Sequence, residues 1–155
     1  MSRVQAGGHA KDADLGWVLM RLATRLERLQ TEALAWLSEP VTFRQFRILT
    51  RVQEGNTSLT RLAQAIRRSM PTVSASVDTL VKRGLLTREP SPGNRRQVTL
   101  AVTDRGRAVL DEGRVTLEVL TSKLTADLSQ SDRKMLTRTL SGIYDLAGTY
   151  LNPST

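Results

Sequence analysis

Apolar residues recur at alternating steps of four and three near both ends of this chain. Leu15, Leu19, Leu22, Leu26, Leu29, Ala33 and Trp36 form one series, and Leu136, Leu140, Ile143, Ala147 and Tyr150 the other. That spacing places each series on one stripe of a helix. Two long amphipathic helices must each lay a stripe against something, and this constrains the fold strongly. On a lone helix such a heptad-like stripe can be ordinary core; at both ends of one chain, it favours a subunit interface.

Between the stripes the chain is cut into short elements. The first helix is expected over Asp14 to Leu37 and ends at Ser38-Glu39-Pro40, because proline disfavours helical geometry at the residue before it. Thr42 and Gln45 have the spacing of a capping box, with Val41 and Phe46 placed as a hydrophobic staple. They start a second helix that Glu54-Gly55-Asn56 closes. Thr57 or Ser58 caps a third, carrying Leu59, Leu62, Ala63 and Ile66. Arg67-Arg68-Ser69 is a tight connection to a fourth helix that opens at Met70-Pro71 and stops at Gly84.

Two β-prone runs follow, Leu85 to Glu89 and Gln97 to Val102, joined by an irregular loop from Pro90 to Arg96. A fifth helix is expected from the cap Thr103 to about Leu128. Ser129 and Asp132 then make a second capping-box pattern ahead of the sixth. The fold class is mostly α with a small β-hairpin (α+β).

Charge is distributed unevenly. Residues 1–41 carry five basic and five acidic side chains, and residues 108–155 carry five and six. Residues 42–107 carry thirteen and four, so the whole net charge of +8 resides in the middle of the chain. A basic segment between neutral ones is the footprint expected of a polyanion-binding surface. There are no cysteines, which excludes thiolate metal sites and disulfides and permits a reducing cytoplasm. No apolar run approaches a membrane span. Residues 1–11 look like a flexible leader; it holds His9, the sole histidine, which leaves little acid–base machinery for an enzyme. No nucleophile–base pair, metal cluster or phosphate-cradling glycine loop is evident, and no cofactor is expected.

Short helix, tight turn, second helix and basic hairpin is the order that groove reading requires. Around the fourth helix, Arg67, Arg68, Ser69, Thr72, Ser74, Ala75, Ser76, Thr79 and Lys82 lie off the apolar stripe. Small hydroxyl and methyl groups there let the backbone approach DNA, bond to phosphate or base edges and touch thymine methyls. Asp78 is expected to face away from phosphate or to pair with an arginine. Arg95 and Arg96, expected at a loop tip beside Asn94, are placed to enter a minor groove.

From about Leu15 to Leu151 the sequence resembles the MarR (multiple antibiotic resistance regulator) family. The resemblance is carried by Thr42 to Leu49, Leu59-Thr60-Arg61-Leu62-Ala63, Thr72-Val73-Ser74, Leu80 to Arg88, and Asn94 to Gly106. It implies a winged helix-turn-helix head over residues 41–103 and dimerisation helices over residues 12–40 and 104–155. It also implies a cytoplasmic homodimer on double-stranded DNA at a near-palindromic operator, repression, and release by a small aromatic or anionic effector. The family's wing carries Asp-x-Arg; here Asn94-Arg95-Arg96 matches, so Arg96 takes the arginine's role and Asn94 accepts a hydrogen bond without supplying charge. The lack of cysteine argues against the thiol-based peroxide sensors of the family. Trp17, Trp36, Phe43 and Phe46 are candidates to line an effector crevice between the dimerisation helices and the head. The competing reading is a winged helix that binds protein or RNA without operator specificity.

Overall fold

The computed structural model describes the backbone of residues 7–91 and 94–151 and the side chains of residues 14–89 and 99–150. In chain order the elements are α1 (Gly7–Ala35), α2 (Phe43–Gln53), α3 (Leu59–Ile66), α4 (Met70–Lys82), β1 (Leu86–Ser91), β2 (Asn94–Val102), α5 (Asp104–Leu124) and α6 (Gln130–Leu151). The chain is mostly helical with one two-stranded antiparallel sheet, as its patterning predicts. Two compact units divide at residues 117 and 118, within α5.

In the first unit, local chemistry sets the helix boundaries. Thr42 Oγ1 accepts the Gln45 N–H at 3.2 Å and Gln45 Oε1 accepts the Thr42 N–H at 3.0 Å, completing the expected capping box of α2. Ser58, rather than Thr57, caps α3 by accepting the Arg61 N–H. The end of α4 is a Schellman motif. Gly84 sits at φ +70°, its N–H reaches Val81 O, and the Leu85 N–H reaches Leu80 O.

The end of α3 has the same arrangement, with Arg67 at φ 52° in the left-handed position and the Arg68 N–H on Ala63 O. An arginine there accepts a conformation that glycine adopts without steric cost. It makes the α3–α4 connection as short as the sequence pattern requires.

The core draws on every element of this unit. Leu34 and Leu37 come from α1 and its end, Ile48 and Leu49 from α2, and Leu62 from α3; Val73, Val77 and Leu80 come from α4. Leu86, Leu100 and Val102 come from the sheet, and Val109 and Leu110 from α5. No buried polar side-chain atom lacks a partner among the described residues. Two close approaches depend on glycine: a Cβ on Gly106 would clash with Leu85 O and Val102, and one on Gly113 would meet the Phe46 ring.

Several expectations need correction. The helix expected from Asp14 begins at Gly7 and ends at Ala35. Within the chain α1 is held by Leu34, and by Leu37 beyond its end; of the stripe expected to favour a subunit interface, Leu15, Leu22 and Trp36 are exposed and Leu19, Leu26, Leu29 and Ala33 half-buried. The hairpin is longer than its β-prone cores. Pro90 and Ser91 lie in β1 and Asn94 to Arg96 in β2, because a two-stranded sheet is all edge and tolerates proline. The register jumps from Pro90↔Val98 to Ser91↔Asn94, so Arg95, Arg96 and Gln97 bulge from the ladder and have no cross-strand partner among the described residues. The second strand also donates its Leu100 N–H to Thr57 O at 2.8 Å, tying the hairpin to the α2–α3 connection.

In the second unit, α5 ends at Leu124, short of the expected Leu128. Arg133 supplies the reason: its guanidinium donates to Thr125 O and Leu128 O, satisfying carbonyls where the helix stops. The Ser129–Asp132 pair forms half of a capping box. Ser129 Oγ accepts the Asp132 N–H at 3.1 Å, while the Asp132 carboxylate takes the Ser129 hydroxyl instead of the cap's backbone N–H. On α6, Leu136, Leu140 and Ile143 are exposed.

Candidate nucleic-acid interface

Val73, Val77 and Leu80 pin α4 to the core and so dictate which of its residues face outward. Opposite them Ala75, Thr79 and Lys82 are exposed, and Thr72, Ser74 and Ser76 are half-buried on the flanks. Arg67, Arg68 and Ser69 are exposed at the head of the helix. The nine side chains singled out around α4 thus divide into an outer face and two shoulders.

The hydroxyls are already oriented. Ser76 Oγ donates to Thr72 O at 3.1 Å and Thr79 Oγ1 to Ala75 O at 2.9 Å. With their protons turned back onto the helix, these oxygens present lone pairs outward, suited to accepting from base amino groups. Ser69 has the backbone of an N-cap, but its hydroxyl lies 2.8 Å from Thr72 Oγ1 and makes no cap bond. The first turn of α4 therefore keeps uncapped N–H groups beside Arg67 and Arg68, an arrangement that favours phosphate.

Ser74 lies on the other shoulder, around a hollow of about 240 Å³ shared with Leu59, Arg88 and Leu100. Arg88 Nη2 reaches Asp78 Oδ1 at 2.5 Å, which joins β1 to α4 and answers the expectation that Asp78 would pair with an arginine. Arg88 was not singled out from the sequence. Its signal is weak there, because strand-to-helix pairing is not visible in local spacing.

The side chains of Asn94, Arg95 and Arg96 lie outside the described residues; their backbone places them at the start of β2. The four candidate effector-crevice aromatics are not brought together. Phe46 is 7% exposed and packed in the core, whereas Trp36 is 88% exposed and Trp17 stands outward on α1 beneath Arg21. Phe43 borders a hollow with Arg44, Arg47 and Arg68, and Trp17 borders a separate one along α1. The i, i+3 spacing of Arg44 and Arg47 on α2 was the signal that could have drawn attention to them.

Residues 41–98, which span α2 to the second wing strand, match the family model described as the MarR family. A curated relative, the uncharacterized HTH-type transcriptional regulator YhbI of Bacillus subtilis (strain 168), is 27% identical over 121 residues, covering 76% of this chain and 79% of its own. Residues 41–98 of this chain are a MarR-family segment. A chain carrying it is a DNA-binding transcription regulator and not an enzyme.

Solved structures agree on the fold. Wild-type MarR from E. coli in its apo form superposes with a TM-score of 0.71 at 23% identity, covering 83% of this chain and 96% of that one. A MarR family protein from Bacillus stearothermophilus gives 0.79 at 19% identity, with 92% and 99% covered. BldR from Sulfolobus solfataricus gives 0.71 at 23% identity, with 89% and 97% covered. No described helix of this chain is long and apolar enough to cross a membrane.

Proposed function

We propose that this regulator is a cytoplasmic homodimer that represses transcription from a near-palindromic operator and is released by a small aromatic or anionic effector. In this reading residues 41–103 are the DNA-binding head and residues 12–40 and 104–155 supply the dimerisation helices. The observation that carries it is the outer face of α4: exposed Ala75, Thr79 and Lys82 follow an uncapped first turn flanked by Arg67 and Arg68. A helix presenting small groups, outward lone pairs and basic ends is shaped for the major groove. Arg96, with Asn94 beside it, takes the minor groove. Supporting the homodimer, α1 exposes Leu15, Val18, Met20 and Leu22, and α6 exposes Leu136, Leu140 and Ile143. Covering such side chains is worth roughly 1.5–3 kcal/mol each, and the same two helices of a second copy supply the cover.

Capture of fragments from the source genome, followed by footprinting, tests the reading. Two protected half-sites about 10 base pairs apart support paired heads on one face of the duplex. Protection of a single half-site, or of none, contradicts it.

A further inference from the structure

Arg44 and Arg47 on α2 and Arg68 in the α3–α4 connection line one hollow of about 280 Å³, together with Phe43, Ile66, Thr42 and two residues of α1, Glu27 and Thr31. No described carboxylate lies within ion-pair distance of any of the three guanidiniums. This sets them apart from Arg51, Arg83, Arg88, Arg105 and Arg107, each of which holds an acidic partner. Three unpaired cations facing one carboxylate leave the hollow with a formal charge of +2. Unneutralised like charges gathered in one place repel one another, and an anion relieves that repulsion.

We infer that Arg44, Arg47 and Arg68 form a second DNA-contacting surface that grips the phosphate backbone beside the segment read by α4; the inference rests on the DNA-binding reading above. Three features select the duplex backbone over a free anion. Arg68 stands two residues before the first residue of α4, so the hollow is continuous with the groove-reading face. Arg44 and Arg68 are exposed, so they present their forks to a surface and do not enclose a small molecule. Arg44 and Arg47, at i and i+3, project from one side of α2 with Cβ atoms about 5–6 Å apart, and each can take phosphate oxygens in the two-pronged geometry peculiar to arginine.

Arg47 is steered by the Phe43 ring, whose centroid lies 5.9 Å from its guanidinium carbon. That contact orients the side chain without neutralising it. Contacts to phosphate carry no sequence information, so this surface adds affinity and register on all sequences alike and leaves discrimination to α4 and the wing.

The test measures the affinity of the full chain for its captured genomic fragment, and for a scrambled duplex, across a range of salt. Parent, Arg44→Ala/Arg47→Ala and Arg68→Ala proteins are compared, with thermal melting to confirm folding. Arg44→Gln/Arg47→Gln replaces the alanine pair should that fail to fold. The expected result is a plot of log affinity against log salt that is shallower by about 0.9 for each phosphate no longer neutralised, with equal weakening on both duplexes. A parent that binds DNA while the folded variants keep its slope overturns this inference and leaves the DNA-binding reading standing; a parent that binds neither duplex overturns both. Unchanged slopes together with inorganic phosphate binding that only the parent shows would overturn it too, and would assign the hollow to a free anion.

Discussion

Glu39, in the break between α1 and α2, holds Arg83 at the end of α4: Arg83 Nη2 donates to Glu39 Oε1 at 3.2 Å and to the neighbouring Pro40 O at 2.7 Å. The second Glu39 oxygen takes Arg105 Nε of α5 at 2.6 Å. One carboxylate, 15% exposed, thus joins the α1–α2 break, the end of α4 and the start of α5. Replacing it with glutamine leaves Arg83, which is 29% exposed, without its countercharge. Hydrogen bonds to charged groups contribute about 1.5–3 kcal/mol, and the exposure of Arg105 reduces the share from that arm. Glu39→Gln is expected to lower unfolding free energy by about 1–2 kcal/mol in urea titration. A midpoint equal to the parent's would show that the clamp is only decorative.

At Gly106, α5 packs directly against the backbone of Leu85, just beyond α4. An added methyl must displace Leu85 O or Val102, and neither is the free end of a flexible side chain. Gly106→Ala should destabilise by about 1–3 kcal/mol, the range for overpacking, despite alanine's better helix propensity. The denaturant midpoint should fall with the slope unchanged.

Much of this head was legible in the sequence, and the parts that were not share a physical cause. Thr42 with Gln45, Ser58 and Gly84 act through neighbours within five residues, so spacing alone locates them. Leu34 and Leu37 were invisible as the anchors of α1 because a stronger periodic signal, the leucine stripe, occupies the same helix. The strands extend past their β-prone cores because pairing comes from the opposite strand, which no local propensity records. Arg133 ends α5 from the start of the following helix, and Asp78 meets Arg88 across two elements. Among the site residues, the outer face of α4 follows from the apolar period of Val73, Val77 and Leu80. Whether Phe46 packs inward or lines a crevice depends on Gly113, far along the chain.

Arg67 combines a strained backbone with an exposed place at the head of α4. Arg67→Gly keeps the left-handed conformation but removes its steric cost, roughly 1–2 kcal/mol for a side-chain-bearing residue, offset by glycine's greater chain entropy of about 0.5–1 kcal/mol. The variant is expected to be as stable as the parent or more so, by up to about 1 kcal/mol, and to bind DNA more weakly. Calorimetry and a binding titration on one preparation check both halves. Loss of stability would show that the side chain supports the turn.

Glu112 of α5 accepts the Ser38 N–H at 2.9 Å and the Ser38 hydroxyl at 2.5 Å, and these bonds hold its carboxyl below the usual range. The folded state therefore binds the proton less readily than the unfolded chain. Stability from this pair is fully present above the unfolded carboxylate range and is lost as pH falls through the depressed folded value. Ser38→Ala should melt below the parent at neutral pH, with the difference shrinking on acidification. A difference that grows towards low pH would reverse the sign and reject the assignment.

Operator affinity of an Ala75→Glu variant tests most directly whether the outer face of α4 reads DNA. Glutamate is a good helix former at an exposed position, so folding is preserved, while its charge faces the phosphates. Binding to the captured operator should fall to the level of a scrambled duplex, with an unchanged melting temperature. A folded Ala75→Glu protein that binds operator as tightly as the parent would place DNA recognition elsewhere on the molecule.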